Sequence, residues 1–341
     1  MSPTSAESGN DGQRTGLMFP GAPKIPDMVR LAQRAEARGF DSAWFAETRI
    51  TRDGVTPLAA MAAATDRIKI GSAIVNVFTR GPVVLACTFT TLNELAPGRI
   101  LMGLGAGSPA VLGPQGVEFK KPLTRMREYV TIIQPLIRGE EVTFDGETVS
   151  VDGARIEDIL SASDSDAGAT AAIPLYLGVT GPRALEYAGE VADGVLLNAI
   201  LPTTYVERAR GLLQKGAQRA NRSVQDLDVA MIAIVSPDAD AAAGKNRARD
   251  FLAVYLSMFP NLARETGLDE ALVESIRTTF NADGVEAAAR NIDDSVVDQL
   301  CAAGSVEECR ERLQAYRQAG VDLPILTPLD GTMELAIDEL G

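Results

Sequence analysis

Short apolar runs alternate with longer amphipathic segments along most of the chain. Residues 17–19, 42–46, 68–75, 100–105, 173–178, 194–198, 228–235 and 323–327 are apolar almost throughout and end in polar or glycine residues. That is the pattern of strands buried on both faces. Between them, 25–38, 56–66, 82–95, 123–138, 182–191 and 204–220 carry apolar residues at helical spacing, as Met28, Leu31, Ala32 and Ala35 do in the first. Eight strands alternating with helices predict an α/β fold, a single TIM-type (β/α)8 barrel, over 14–341. On the second strand, if Glu47 faces inward, the two-residue period puts Phe45 and Ala43 in the barrel interior and Trp44 toward the helices.

The alternation is interrupted twice. After the fourth helix, 142–144 and 148–151 flank Asp145-Gly146, which predicts a hairpin with a tight Asp-Gly turn. After the seventh strand, 239–297 is helical and longer than one crossover needs, so it holds extra helices. Ser305 with Glu308 is a capping-box start for the last long helix. Residues 1–13 have the composition of a disordered tail, and 161–172 that of a mobile loop.

Composition removes several kinds of chemistry. The 341 residues include no histidine, so imidazole acid–base catalysis and Ser-His-Asp or Cys-His nucleophile systems are excluded. Cys87, Cys301 and Cys309 are too few and wrongly spaced for a zinc site, so no metal is expected. A net charge of −14 argues against nucleic acid and anionic membrane partners. No run of about 18 apolar residues and no leader is present, which predicts a cytoplasmic protein acting on a small molecule.

In parallel α/β folds ligands bind at the carboxyl ends of the strands. Candidate residues there are Glu47, Arg49, Asn76, Thr79, Arg80, Gly105, Gly107, Ser108 and Asn198. Gly178-Val179-Thr180-Gly181-Pro182-Arg183 joins a strand to a helix and offers backbone N–H groups to a phosphate.

Trp44-Phe45-Ala46-Glu47-Thr48-Arg49, Val75-Asn76-Val77-Phe78-Thr79-Arg80-Gly81-Pro82, Gly103-Leu104-Gly105-Ala106-Gly107 and 174–182 resemble the bacterial luciferase-like superfamily of flavin- and deazaflavin-dependent oxidoreductases. Within it the chain is most similar to the methylenetetrahydromethanopterin reductase branch. The resemblance implies a barrel that binds coenzyme F420 or FMN. It places Ala73 and Ile74 at a strand-three bulge with a cis peptide against the cofactor ring, and Gly178, Thr180 and Gly181 at the cofactor phosphate. Asn198 and Ala199 match a further cofactor loop, and Glu47 an acidic position near the ring.

Two positions depart from the branch. Phe19 ends the first strand and Ser108 follows the glycine loop, where the branch carries Glu and Asp, so both are expected at the substrate. Thr48 stands where many relatives have His.

The expected activity is hydride transfer between F420 and a small organic acceptor, a methylene-tetrahydropterin or folate being the one that the branch implies. Glu47 is the candidate for proton management, and Arg49 or Arg80 for holding an anionic group. An FMN-dependent monooxygenase, an NAD(P)H-dependent reductase without flavin and a catalytically degenerate partner subunit are the alternatives. Related barrels pair through the helices after strands two and three, where this chain carries Ala59-Ala60-Met61-Ala62-Ala63-Ala64, so a homodimer or higher homo-oligomer is expected.

Overall fold

A computed structural model describes residues 13–20, 23–47, 51–156 and 172–341. The elements follow one another as β1 (Gly16–Phe19), α1 (Ile25–Ala37), β2 (Ser42–Phe45), α2 (Thr56–Ala64), β3 (Lys69–Ser72), β4 (Val75–Asn76), α3 (Pro82–Leu95) and β5 (Ile100–Gly105). Next come α4 (Pro109–Leu112), α5 (Pro122–Ile137), the hairpin β6 (Val142–Asp145) and β7 (Ser150–Ala154), β8 (Leu175–Gly178), α6 (Pro182–Val191), β9 (Gly194–Leu197), α7 (Thr203–Arg219) and β10 (Asp228–Pro237). The chain ends with α8 (Ala241–Met258), α9 (Pro260–Glu265), α10 (Glu270–Asp283), α11 (Val285–Ala289), α12 (Asp294–Leu300), β11 (Ala302–Gly304), α13 (Val306–Ala319), β12 (Leu323–Pro328) and α14 (Met333–Glu339).

Proline opens α1, α2, α3, α5 and α6, where its missing N–H forfeits no helical bond. Ser305 and Glu308 form the expected reciprocal box at the start of α13. The parallel strands pair in the order β1-β2-β3-β5-β8-β9-β10-β12, and β12 returns to β1 with Gly16 opposite Ile325. This closes the eight-stranded barrel. β11, which the apolar pattern did not announce, lies outside the ring and extends the end of β10, with Val235 opposite Ala302. The expected extra helices after the seventh barrel strand are α8 to α12.

A large core fills the layer between barrel and helices, while a smaller one fills the barrel itself: Met18, Trp44, Ala73, Leu101, Tyr176, Leu196, Ala230, Leu323 and Ile325. The Trp44 and Tyr176 rings meet edge to face at 5.4 Å across the barrel. Room for them comes from missing side chains. A Cβ at Gly71 would stand 2.3 Å from the indole, and one at Gly194 would stand 2.2 Å from the phenol ring. Below the rings, Tyr176 Oη donates to Asp228 (2.7 Å), whose carboxylate also takes two hydrogen bonds from Arg14 (2.7 and 2.9 Å). Charge pairing satisfies these groups at the amino-terminal end of the barrel.

The expected parity of β2 is therefore reversed. Trp44 points inward, and Ala43 and Phe45 belong to the outer layer. Side-chain volume on β3 decides it, because only Gly71 leaves space for an indole in the interior. The hairpin also differs in its turn. Asp145 pairs with Ser150, so 146–149 form a four-residue loop in place of a two-residue Asp-Gly turn. Glu128 of α5 holds that loop by accepting N–H groups of Glu147 and Thr148 (2.6 and 2.9 Å). The expected tail at 1–13 and loop at 161–172 fall almost wholly outside the described residues.

Candidate active site

The inward-facing positions near the carboxyl ends of the barrel strands are partly open, and all but Asn198 are small or apolar: Ala46, Ile74, Gly178, Asn198 and Ile232. Beneath them Met18 and Leu196, at 2% and 3% exposure, close the interior. The result is a shallow, mostly apolar mouth whose rim is polar.

Ile74 follows a cis peptide bond with Ala73 and separates β3 from β4. A Cβ at Gly105 would lie 2.5 Å from Ile74 Cγ1, and one at Gly178 would lie 2.7 Å from Ile74 Cγ2. These two glycines, expected to touch a cofactor, form the seat that lets Ile74 occupy the wall of the mouth, and Gly105 itself is buried there while Gly178 stays half-buried. Gly105→Ala is expected to cost about 1–3 kcal/mol by overpacking this seat. Adding Ile74→Ala should restore most of that loss, and denaturation midpoints of the two single variants and the double variant measure it.

The polar rim is organised around one carboxylate. Arg80 pairs with both oxygens of Glu47 (2.7 Å each), Gly54 N–H donates to Oε1 (3.0 Å) and Asn76 Nδ2 approaches Oε2 (3.4 Å). Both members of the ion pair are largely buried, with 12% of the Glu47 side chain and 19% of the Arg80 side chain exposed. Hydrogen bonding to Glu47 drives the Arg80 pKa further above its ordinary value, against desolvation. Glu47 therefore acts as a clasp joining the loop after β2, the approach to α2 and the loop before α3.

Asn76 is spent in the same framework. Its Oδ1 accepts Phe78 N–H, Thr79 N–H and Thr79 Oγ1 (3.0, 3.0 and 3.1 Å), and the residue is 2% exposed. From α5, Arg125 donates to the carbonyl of Val77 (2.6 Å) and to Tyr129 Oη (2.7 Å), which donates to the carbonyl of Arg80 (2.9 Å). These two holders of the Arg80 loop lie more than 40 residues from it in sequence and carry no local signal.

Other expected site residues divide by exposure. Phe19 is fully buried in the outer layer and does not face the mouth, because β1 turns Met18 inward instead. Ala73 and Ala199 are buried at 7% and 2%, so any contact they make with a ligand runs through neighbouring atoms. Asn198 Oδ1 accepts Ala199 N–H (2.8 Å), and the next residue, Ile200, is buried with a left-handed φ of 56°.

Gly181 lies open before α6 with nothing within 4 Å of a Cβ built there, while Thr180 is half-buried and Tyr205 Oη pins its carbonyl at 2.6 Å. Gly107 is exposed with φ 68°, where a side chain would be strained. Ser108 caps α4 with its backbone, while its Oγ is buried without a hydrogen-bond partner among the described residues. Arg49 lies outside the described residues. Ala46, Ile232 and Thr327 were not anticipated at the mouth. The signal for them was strand parity, which stayed ambiguous until one inward side chain was known.

An apolar mouth, an open glycine loop before α6 and an isoleucine wedged between two glycines together form the candidate binding site. Known proteins resemble this chain along most of its length. The sequence is 31% identical to the 5,10-methylenetetrahydromethanopterin reductase of Methanolobus tindarius, over 96% of this chain and 98% of that protein. It is also 31% identical to an F420-dependent glucose-6-phosphate dehydrogenase of Microbacterium testaceum, over 78% of this chain and 84% of the relative. The structure superposes on the coenzyme F420-dependent tetrahydromethanopterin reductase of Methanopyrus kandleri with a TM-score of 0.83 at 26% identity, covering 96% of this chain and 98% of the other. The pattern of the luciferase-like monooxygenase family matches residues 3–323, and the chain belongs to that family.

Proposed function

We propose that this protein is an oxidoreductase that transfers hydride between coenzyme F420 and a small organic acceptor of the methylene-tetrahydropterin type. The observation that carries the reading is the Ile74 wall, with Gly105 and Gly178 cleared behind it, beside an open loop at Gly181. Similarity to the coenzyme F420-dependent reductase of Methanopyrus kandleri along nearly the whole chain supports it.

The deazaflavin, when bound, supplies the hydride chemistry, so the protein is left with binding, orientation and exclusion of water. Ile74, Ala46 and Ile232 provide an apolar bed for the ring. The backbone at Thr180 and Gly181, with the amino terminus of α6 behind it, suits the phosphate. The Glu47–Arg80 clasp holds the loops of the rim at fixed separation. With no histidine in the chain, proton movement at the acceptor falls to solvent or to this carboxylate.

Equilibrium binding followed by Trp44 fluorescence tests the proposal, since Trp44 lies inside the barrel below the mouth. F420 is expected to quench it at lower concentration than FMN or NADPH. Preference for FMN would overturn the deazaflavin assignment, and binding of none of the three would overturn the reading as a whole.

The outer face of α2 and α3 supports a homodimer. Ala59, Ala60 and Ala63 on α2 and Val84, Cys87, Thr88, Thr91 and Leu95 on α3 are at least partly exposed and uncharged, with Val84 and Leu95 at 57% and 49%. Such a face on a chain that is 23% charged is suited to burial against a second copy. Light scattering at micromolar concentration is expected to give twice the monomer mass, and Val84→Glu combined with Leu95→Glu should return it to one.

A further inference from the structure

Four side-chain polar atoms among the described residues are buried with no hydrogen-bond partner: Asp41 Oδ2, Ser108 Oγ, Arg312 Nε and Thr327 Oγ1. Asp41 and Arg312 satisfy other atoms of the same group, through Lys69 and through the carbonyl of Gln299. The hydroxyls of Ser108 and Thr327 have nothing; Ser108 stands at the start of α4, outside the barrel strands, whereas Thr327 lies on a barrel strand.

Its position gives that absence a meaning. Thr327 is 6% exposed and lies near the carboxyl end of β12, two and four residues beyond the inward-facing Ile325 and Leu323. Leu17 pairs with Leu326, so the inward Met18 flanks Thr327 on one side, and Ile234 pairs with it on the other. Strand parity therefore aims the side chain into the barrel, one layer above Ile325. Open space reaches that depth, because Ile232, opposite Ile325 on β10, is partly exposed. An unpaired buried hydroxyl costs stability that an isosteric valine would not. In an otherwise apolar layer, threonine is explained by a partner that arrives from outside the chain.

We propose that Thr327 is a binding residue for the hydride acceptor, its hydroxyl forming a hydrogen bond with a polar atom next to the carbon that is reduced. This rests on the assignment of the protein as an F420-dependent hydride-transfer enzyme. Around the ring, β12 stands four strands from β5, directly across from the Gly105–Ile74 seat. A cofactor ring held against Ile74 would leave the β12 side of the mouth for the acceptor. Rotation about the Cα–Cβ bond of Thr327 redirects the hydroxyl between staggered positions, as an arriving partner would require.

The test compares Thr327→Val and Thr327→Ser with the wild-type protein in three measurements: the thermal midpoint without ligand, the Kd for F420, and steady-state reduction of methylenetetrahydromethanopterin by reduced F420. Valine is expected to leave the midpoint unchanged or higher and the F420 Kd unchanged, and to raise KM for the pterin about five-fold, the size of one neutral hydrogen bond. Serine should restore KM.

An unchanged KM in the valine variant overturns the proposal. A midpoint several degrees lower does so too, since it would mean that the hydroxyl has a partner inside the protein. A weakened F420 Kd with unaltered KM would give the contact to the cofactor and overturn the assignment to the acceptor. A wild-type protein that fails to bind F420 overturns the reading beneath it, and one that binds F420 but does not reduce the pterin overturns the acceptor class and this assignment together.

Discussion

Glu47→Ala is expected to destabilise the protein by about 3 kcal/mol and to lower kcat/KM about a hundred-fold, because it leaves a buried guanidinium unpaired and frees three rim loops at once. Arg80 would lose both of its carboxylate contacts, and the Gly54 N–H and Asn76 amide would lose their acceptor. Glu47→Gln keeps an acceptor for Gly54 but not the charge, so its stability should fall between the two.

Two roles for this carboxylate separate in these variants. A clasp predicts that activity follows stability through the series, and that Glu47→Ala with Arg80→Ala is less damaged than the sum of the single changes. A proton-transfer group predicts that Glu47→Gln is as inactive as Glu47→Ala while remaining nearly as stable as the wild type. Denaturation midpoints and kcat/KM for the four variants decide between them, and a loss below about 1 kcal/mol in Glu47→Ala would rule out the clasp.

Gly71→Ala is expected to destabilise the barrel by about 3 kcal/mol without touching the mouth. The new Cβ would sit 2.3 and 2.4 Å from two carbons of the Trp44 indole. That ring cannot retreat, since Tyr176 lies edge to face with it and itself has only the gap at Gly194 on its far side. Overpacking a rigid ring falls at the upper end of the range for small-to-large changes. Trp44→Phe in the same chain should recover part of the loss. Urea denaturation measures both effects, and a Gly71→Ala midpoint equal to that of the wild type would show that the interior is looser than these distances require.

Much of the fold was legible in the linear order. Parallel strands buried on both faces cannot alternate visibly between core and solvent, so their near-continuous apolar runs at 100–105 and 323–327 announced themselves directly. Proline and the Ser305–Glu308 box marked helix starts by local chemistry that needs no tertiary partner. The absence of histidine removes whole classes of mechanism by composition alone.

The candidate site was legible only in part, and for the same reason. A strand apolar on both faces does not say which face is inside, so Trp44, Phe45, Phe19 and Thr327 were assigned or missed according to a parity that only the glycines of neighbouring strands decide. The hairpin loop was settled by Glu128, 19 residues away from Glu147, and the Arg80 loop by Arg125, 48 residues from Val77. The sequence by itself determined the barrel, its family and the chemistry it can use, because period, caps and composition act over a few residues. The tertiary structure alone decided which side chains meet at the mouth and which glycines make room for them, because volume and charge pairing are settled between strands and loops far apart in the chain.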